Sequence, residues 1–363
     1  MSGANDKGRW DDHPQVLSPV GRRFADLIEE GPRRQELPGY EPVYRDFVDY
    51  IVRCTHRIWE QKDIGLCRTH YSEDCVMHTL AGPQVGCEVV VQNTIGALAM
   101  SSDRQVIAED VIWSDEGDGN LYSSHRIVSS STHLGDDATL GPASRHEAGA
   151  RTIADCLCRE NRIIEEWLVR DNLRAVWQVG GNPWEVARRQ AAADRQGDQA
   201  RHAWRSGEIA RVRAGGDVAI APGHPAQIPA DALVAALRHD LFGEAAQAFS
   251  PAAEIRWPSN RHGYGRGYWI GCLTQLRGAL QRPAVTIDHV AARPLPHGDV
   301  AVAVRWCLAG VHAGGGLWGP ASGRDLLILA ISHYRLRAGK IVEDMTVFDE
   351  LAVLRQIDGG LGA

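Results

Sequence analysis

Arg162-Ile163-Ile164-Glu165-Glu166-Trp167-Leu168-Val169-Arg170-Asp171-Asn172-Leu173 is answered by Lys340-Ile341-Val342-Glu343-Asp344-Met345-Thr346-Val347-Phe348-Asp349-Glu350-Leu351, at an offset of 349 − 171 = 178. The same offset joins Gly141-Pro142-Ala143-Ser144 to Gly319-Pro320-Ala321-Ser322, and Tyr71-Ser72 to Phe249-Ser250. An offset one residue longer, 312 − 133 = 179, joins Arg126 to Arg305, His133 to His312 and Gly86 to Gly265. Matches that keep one order across a whole unit are the mark of duplication, and a period this long means two domains rather than a solenoid.

Each copy has the same coarse anatomy. In the first, Tyr44 to Gln61 sets Phe47, Ile51, Cys54 and Ile58 near one helical face, and Gly86 to Met100 offers a second helix. Strands follow at Gln105 to Trp113, Asn120 to His133 and Thr152 to Asp171, broken by turns at Asp118-Gly119 and Glu160-Asn161. The second copy repeats this with helices at Leu233 to Phe249 and Gly267 to Leu280, then strands at Ala284 to Ala292, Asp299 to His312 and Leu326 to Asp349. Helices first and strands afterwards predict an α+β fold with an antiparallel sheet. The expected division is a polar surface arm over residues 1–40, a first domain over 41–180, an exposed linker helix and loop over 181–229, and a second domain over 230–363.

Composition supports two cores. A chain of 363 residues, 44% of them hydrophobic, fits two domains of ordinary size. Its apolar runs, such as Leu326 to Ile331, fall far short of the roughly 20 residues of a membrane span. The polar start, Met1 to Lys7, lacks the pattern of an export signal, so the expected location is the cytoplasm. A net charge of −7 without a basic stripe argues against nucleic acid. Lys7, Lys62 and Lys340 are the only lysines, an arginine bias that reflects either genomic base composition or anion binding. Of eight cysteines, Cys54, Cys67, Cys75, Cys87, Cys156 and Cys158 fall in the first half; without a CxxC or HExxH pattern they read as small hydrophobes, and no metal is expected.

Ile163 to Leu173 with the following Gln178-Val179-Gly180, together with Gly310-Val311-His312-Ala313-Gly314 and Gly339 to Asp344 in the second copy, resembles the SnoaL-like polyketide cyclase family of the nuclear transport factor 2-like superfamily. The resemblance spans about three quarters of the chain. It implies a strongly curved antiparallel sheet wrapped around helices into a cone, with a pocket at the wide end. It also implies chemistry without a cofactor, in which an aspartate is the acid or base on an enolisable substrate; Asp171 and Asp349 match that position. Two departures stand out: Trp167 becomes Met345 in the second copy, and Ser131-Thr132 precedes His133 where the family has glycine.

Candidate residues carry two readings each. A carboxylate at Asp171 inside an apolar cone would be desolvated, which raises its pKa toward neutral, yet aspartate is also a favoured helix cap where a strand turns into a helix. Period two puts His125 and His133 on one strand face with Ser129 and Ser131, a lining able to orient and protonate a polar substrate. His78 belongs at the rim, and Trp257, beside its counterpart Arg256, would form an aromatic wall. Arg126 and Arg305 would hold a substrate carboxylate or pair with Glu165 and Glu343. Trp167 and His312 complete the expected binding groups. Gly314-Gly315-Gly316 lacks the helix and lysine of a phosphate loop.

Two functions follow. One is a cofactor-free lyase, isomerase or cyclase acting on a small enolisable carbonyl compound; the other is a ligand-binding or assembly module of the same fold. Fusion predicts that the copies pair within the chain as a pseudo-dimer, with a homodimer left open. The first copy is expected to carry the chemistry, because Val300 to Val304 is purely apolar where the first has Leu121-Tyr122-Ser123-Ser124-His125.

Overall fold

The computed structural model describes residues 28, 30–137, 140–196 and 199–359. In the first unit, α1 (Phe47–Trp59) and α2 (Cys67–His70) lead into β1 (Tyr71–His78) and β2 (Gln84–Val85). Next come α3 (Cys87–Met100), β3 (Gln105–Gly117), β4 (Asn120–Thr132), β5 (Glu147–Arg159) and β6 (Arg162–Arg170), closed by α4 (Asn172–Gln178). Two helices, α5 (Pro183–Arg195) and α6 (Gln199–Ala214), connect the units. The second unit runs α7 (Gln227–His239), α8 (Phe242–Ala245), β7 (Phe249–Trp257), β8 (Arg261–Tyr264), α9 (Arg266–Gly278), β9 (Leu280–Pro294), β10 (Val300–His312), β11 (Asp325–Arg337), β12 (Lys340–Phe348) and α10 (Glu350–Ile357).

The two sheets have one topology, β2-β1-β6-β5-β4-β3 and β8-β7-β12-β11-β10-β9. Register repeats as well: Arg126 lies opposite Ile153, and Arg305 opposite Ile331. Matching glycines open α3 and α9. Gly86 and Gly265 both hold positive φ, and a Cβ at Gly265 would come within 2.9 Å of the Pro251 carbonyl oxygen. One expectation is corrected: β1 runs parallel to β6, and β7 to β12. An antiparallel meander of three strands separates the members of each pair, so the last strand returns beside the first in the same direction.

The connector also departs from expectation. Val186, Ala187, Ala191, Ile209 and Val212 are buried, so α5 and α6 are packed rather than exposed; small apolar residues on one face suffice to cover the second unit. The loop expected within 181–229 ends at Gln227, where α7 begins, and α7 stops at Asp240, which adopts a left-handed conformation. Of the expected surface arm, most lies outside the described residues. Its end is core: Leu37 and Tyr40 are buried, and Tyr40 meets Tyr50 of α1 edge-on at 5.0 Å.

The outer faces of the sheets pack against each other. Ile153 and Val169 of the first unit share a cluster with Ala309, Leu329, Ile331 and Val347 of the second. Polar groups cross the same contact. Arg293 donates from Nη2 to Asp110 at 2.6 Å and from Nε to the Val111 carbonyl at 2.7 Å, and Ser124 Oγ bonds His333 Nε2 at 2.8 Å. This contact fixes which sheet faces remain free to enclose ligands. Among the described residues, no helix is long and apolar enough to cross a membrane.

Candidate functional site

The inner face of the first sheet, roofed by α1 and α3, encloses a cavity of about 920 Å³. Strand alternation decides what it sees. On β4 the inward residues are His125, Ile127 and Ser129; on β6 they include Glu166, Leu168 and Arg170. Arg104, between α3 and β3, Asp349, from the second unit, and Asp136 and Asp137, after β4, also contribute charge to the lining.

Glu166 is buried, and among the described residues it makes no ion pair within 4 Å. Burial pushes its pKa up, against the opposing pull of Arg170 and the Tyr71 hydroxyl. Arg170 is shifted down by burial, with Glu166 and Asp349 acting in the other direction. The Asp349 carboxyl is pushed up to about 6 by burial, although it caps α10 through the Ala352 N–H at 3.1 Å and accepts from Asn172 Nδ2 at 2.6 Å. The His125 ring is buried, its Nε2 has no hydrogen-bond partner, and burial drives its pKa down to about 3. It is therefore a neutral donor or acceptor at working pH.

The second cone is filled. Trp257, Trp269 and Trp306 are buried in it beside Phe249, Phe348 and Tyr334. Offsets of 178 and 179 place Thr79, Val90 and Ile127 at the positions of those three indoles (257 − 79 = 178; 269 − 90 = 179; 306 − 127 = 179). All three line the first cavity, so the missing indoles account for its room. Asp344, the counterpart of Glu166, is pushed up to about 6 by burial and is fully engaged: Trp257 Nε1 donates to it at 3.1 Å and Thr346 Oγ1 at 2.7 Å. Ser332 links this pair to Trp306 Nε1, which donates at 3.0 Å. That cone is therefore not purely apolar, but its polar groups are spent on one another.

The expected site residues separate accordingly. His125 and Asp349 line the first cavity. Asp171 does not: its carboxylate caps α4 and accepts the Ser259 N–H of the second unit at 2.9 Å. Back-to-back packing turns each strand-end aspartate toward the other copy, which is why the first cavity borrows Asp349. His133 is no part of the wall either; its Nδ1 meets the Ser144 hydroxyl at 3.2 Å, and His312 meets Ser322 at 3.0 Å, one loop clasp in two copies. His78 bonds Glu165 at 2.8 Å and stacks on Trp167, both on the outer face. Arg305 stacks on Trp167 at 3.5 Å and donates to Tyr122 Oη at 2.9 Å, so it belongs to the contact between sheets. Arg126 pairs with Glu109 at 3.0 Å rather than with Glu165. Trp257 is a plug of the second cone. Glu166, Arg170 and Arg104 are the groups that the sequence reading missed; alternation along Arg162–Arg170, the rule that selects His125 on β4, would have found the first two.

Neutral buried histidines set an acid limit on the fold. His125 and His333 both sit at about 3, whereas an unfolded histidine titrates near 6.5. Between those values the unfolded chain binds protons that the native chain does not, so stability falls as pH drops through that window. Asp344 and Asp349, raised to about 6, act with the opposite sign, gaining stability as pH falls from there. Replacing His125 by glutamine cancels only its own contribution. Near pH 5 the slope of unfolding free energy against pH should be lower in the variant than in wild type by about 1.4 kcal/mol per unit. Urea titrations of wild type and variant would read it, and an unchanged slope would mean that His125 is charged in the fold.

Residues 244–357 match the family model described as SnoaL-like polyketide cyclase. No curated protein matches the sequence. Among solved structures, IdmH from Streptomyces antibioticus is similar at 21% identity, over 36% of this chain and 96% of its own, with a TM-score of 0.31. TsrD from Streptomyces laurentii is similar at 18% identity, over 39% of this chain and 99% of its own, with a TM-score of 0.32. An NTF2-like protein of unknown function from an Exiguobacterium species is similar at 20% identity, over 35% of this chain and 98% of its own, with a TM-score of 0.27. The matched residues lie within the second of two tandem α+β units, and the first unit repeats its strand order.

Proposed function

We propose that the first unit is a cofactor-independent acid–base enzyme of lyase, isomerase or cyclase type, acting on a small enolisable carbonyl compound, and that Glu166 carries the proton. The observation behind this reading is an open cavity that holds a buried carboxyl with no ion pair among the described residues, beside Arg170 and the free Nε2 of His125. The family match of the second unit, whose fold the first shares, agrees with such chemistry.

In the first step the Glu166 carboxylate takes a proton from the carbon next to the carbonyl. The C–H bond breaks, an O–H bond forms on Glu166, and the electron pair moves to the carbonyl oxygen. A guanidinium and an imidazole N–H in a site screened from water stabilise that oxyanion far more than they would in bulk. Glu166 then returns the proton elsewhere on the product, or a leaving group departs with Asp349 as the acid. A carboxyl raised by burial suits both roles, because proton exchange is fastest when the pKa lies near the working pH. For the second unit we infer a supporting part: its cone is filled, and its strand end supplies Asp349.

Copying the second cone's plug into the first tests where the chemistry sits. Cyclic and aromatic 1,3-dicarbonyl compounds in deuterated buffer would be followed by NMR for exchange at the central carbon. Wild type should accelerate exchange of at least one by about 100-fold, within the range that general acid–base help supplies. Ile127→Trp should fold and abolish it. Exchange that survives the plug would place the reaction outside this cavity.

A further inference from the structure

Arg104 and Arg170 both line the first cavity, and among the described residues neither guanidinium makes an ion pair or a hydrogen bond. Their surroundings differ. Arg170 has Glu166 and Asp349 near enough to act on it. Arg104 has no such carboxylate; the charge acting on it is Arg170, a like charge. Its Nε is buried without a partner, and its guanidinium rests over the Trp59 ring at 4.8 Å. The nearby rim carboxylates are engaged in loop structure: Asp136 accepts the Ala143 N–H and Asp137 the Leu140 N–H.

A cation partly withdrawn from water, with its Nε buried, is costly unless an anion compensates it, and a ring face offsets only part of that cost. A fold that keeps Arg104 so placed, without a protein partner, leaves the compensation to a ligand. Arginine presents a planar fork that matches a carboxylate through two parallel N–H bonds. We propose that the first cavity takes a substrate bearing a carboxylate, which Arg104 holds at the Trp59 end, leaving Arg170 free to face the reacting carbonyl. This rests on the proton-transfer reading for the carbonyl and goes beyond it in naming a second, anchoring group on the substrate.

Charge counting gives the anchor a further consequence. With the ligand carboxylate bound, and Asp136 and Asp137 of the rim loop set apart, Arg104 and Arg170 on the inner wall are balanced when only one of Glu166 and Asp349 is ionised. The other then stays protonated, so binding itself sets up one base and one acid in the same cavity.

The test uses two probes of one shape, 2-naphthoate and the neutral 2-naphthamide, titrated by calorimetry into the full chain at low salt. Wild type should bind the carboxylate at least tenfold more tightly than the amide. Arg104→Gln should erase the preference, and Arg104→Lys should keep part of it. Glu166→Gln should lose proton exchange and retain the preference, which separates failure of the anchor from failure of the chemistry. Near-UV circular dichroism would check folding, and the wild-type comparison stands even if a variant does not fold. Equal binding of the two probes, no binding of the carboxylate, or a preference that survives Arg104→Gln would each overturn the proposal.

Discussion

Glu166→Gln should slow proton exchange by about 100-fold, back to near the uncatalysed rate, within the span that a positioned general acid or base contributes. The amide keeps the shape of the carboxyl and removes only the ability to gain and lose a proton. Because Glu166 is buried and shifted up by that burial, its ionised form is disfavoured in the fold, so the neutral variant should melt at or above the wild-type temperature. Loss of activity with retained stability is the signature of a functional carboxyl. Asp171→Asn provides the control: that side chain caps α4 against Ser259 and does not reach the cavity, so exchange should remain near the wild-type rate. Asp349→Asn should fall between the two, since Asp349 lines the wall but is tied to Asn172 and Ala352. The pH profile adds a direction. A base works when deprotonated, so exchange should rise with pH through the Glu166 ionisation, and that limb should vanish in Glu166→Gln. A near wild-type rate in Glu166→Gln, with a hundredfold loss in Asp349→Asn, would move the proton carrier to Asp349.

What the sequence made legible follows its repeats. The offsets of 178 and 179 predict two units of like topology, and the register of Arg126 and Arg305 against Ile153 and Ile331 agrees with them residue by residue. His125 was legible because alternation along β4 needs only one strand. Asp349 was legible as a residue but not as a neighbour of the first cavity, since its place there depends on how two sheets pack, and no local pattern encodes that. The same packing takes Trp167 and Arg305 out of any pocket: both are large, both lie on outward strand positions, and each covers the other. The open and filled cones were legible in part, through Thr79, Val90 and Ile127 standing where the second copy has tryptophan. That reading requires the exact repeat register around β1 and α3, where the offset changes by one residue.

Replacing Arg293 by methionine should destabilise the chain by about 3–5 kcal/mol, because it leaves the Asp110 carboxylate buried between the sheets without its partner. Both side chains are buried, their contact is 2.6 Å, and the second Arg293 bond closes on the Val111 carbonyl. Burial alone would raise Asp110; Arg293, first among the opposing charges, holds it below the ordinary carboxylate value. In wild type, that depressed pKa contributes stability above the unfolded value near 3.9, lost as pH falls through the folded one. In Arg293→Met the sign reverses, since the unpaired carboxyl is raised, so the deficit should be largest at neutral pH and shrink toward pH 4. Restoring charge balance without polarity should restore the fold: Arg293→Met with Asp110→Leu should recover most of the loss, as replacement of a buried pair by apolar groups often does. Urea unfolding followed by tryptophan fluorescence and by circular dichroism measures both quantities. Coincident wild-type transitions that separate in Arg293→Met would show that this contact couples the two units. A single-variant loss below about 1 kcal/mol, small against the penalty for an unpaired buried charge, or a double variant no more stable than the single, would mean that the sheets are held by their apolar contact alone.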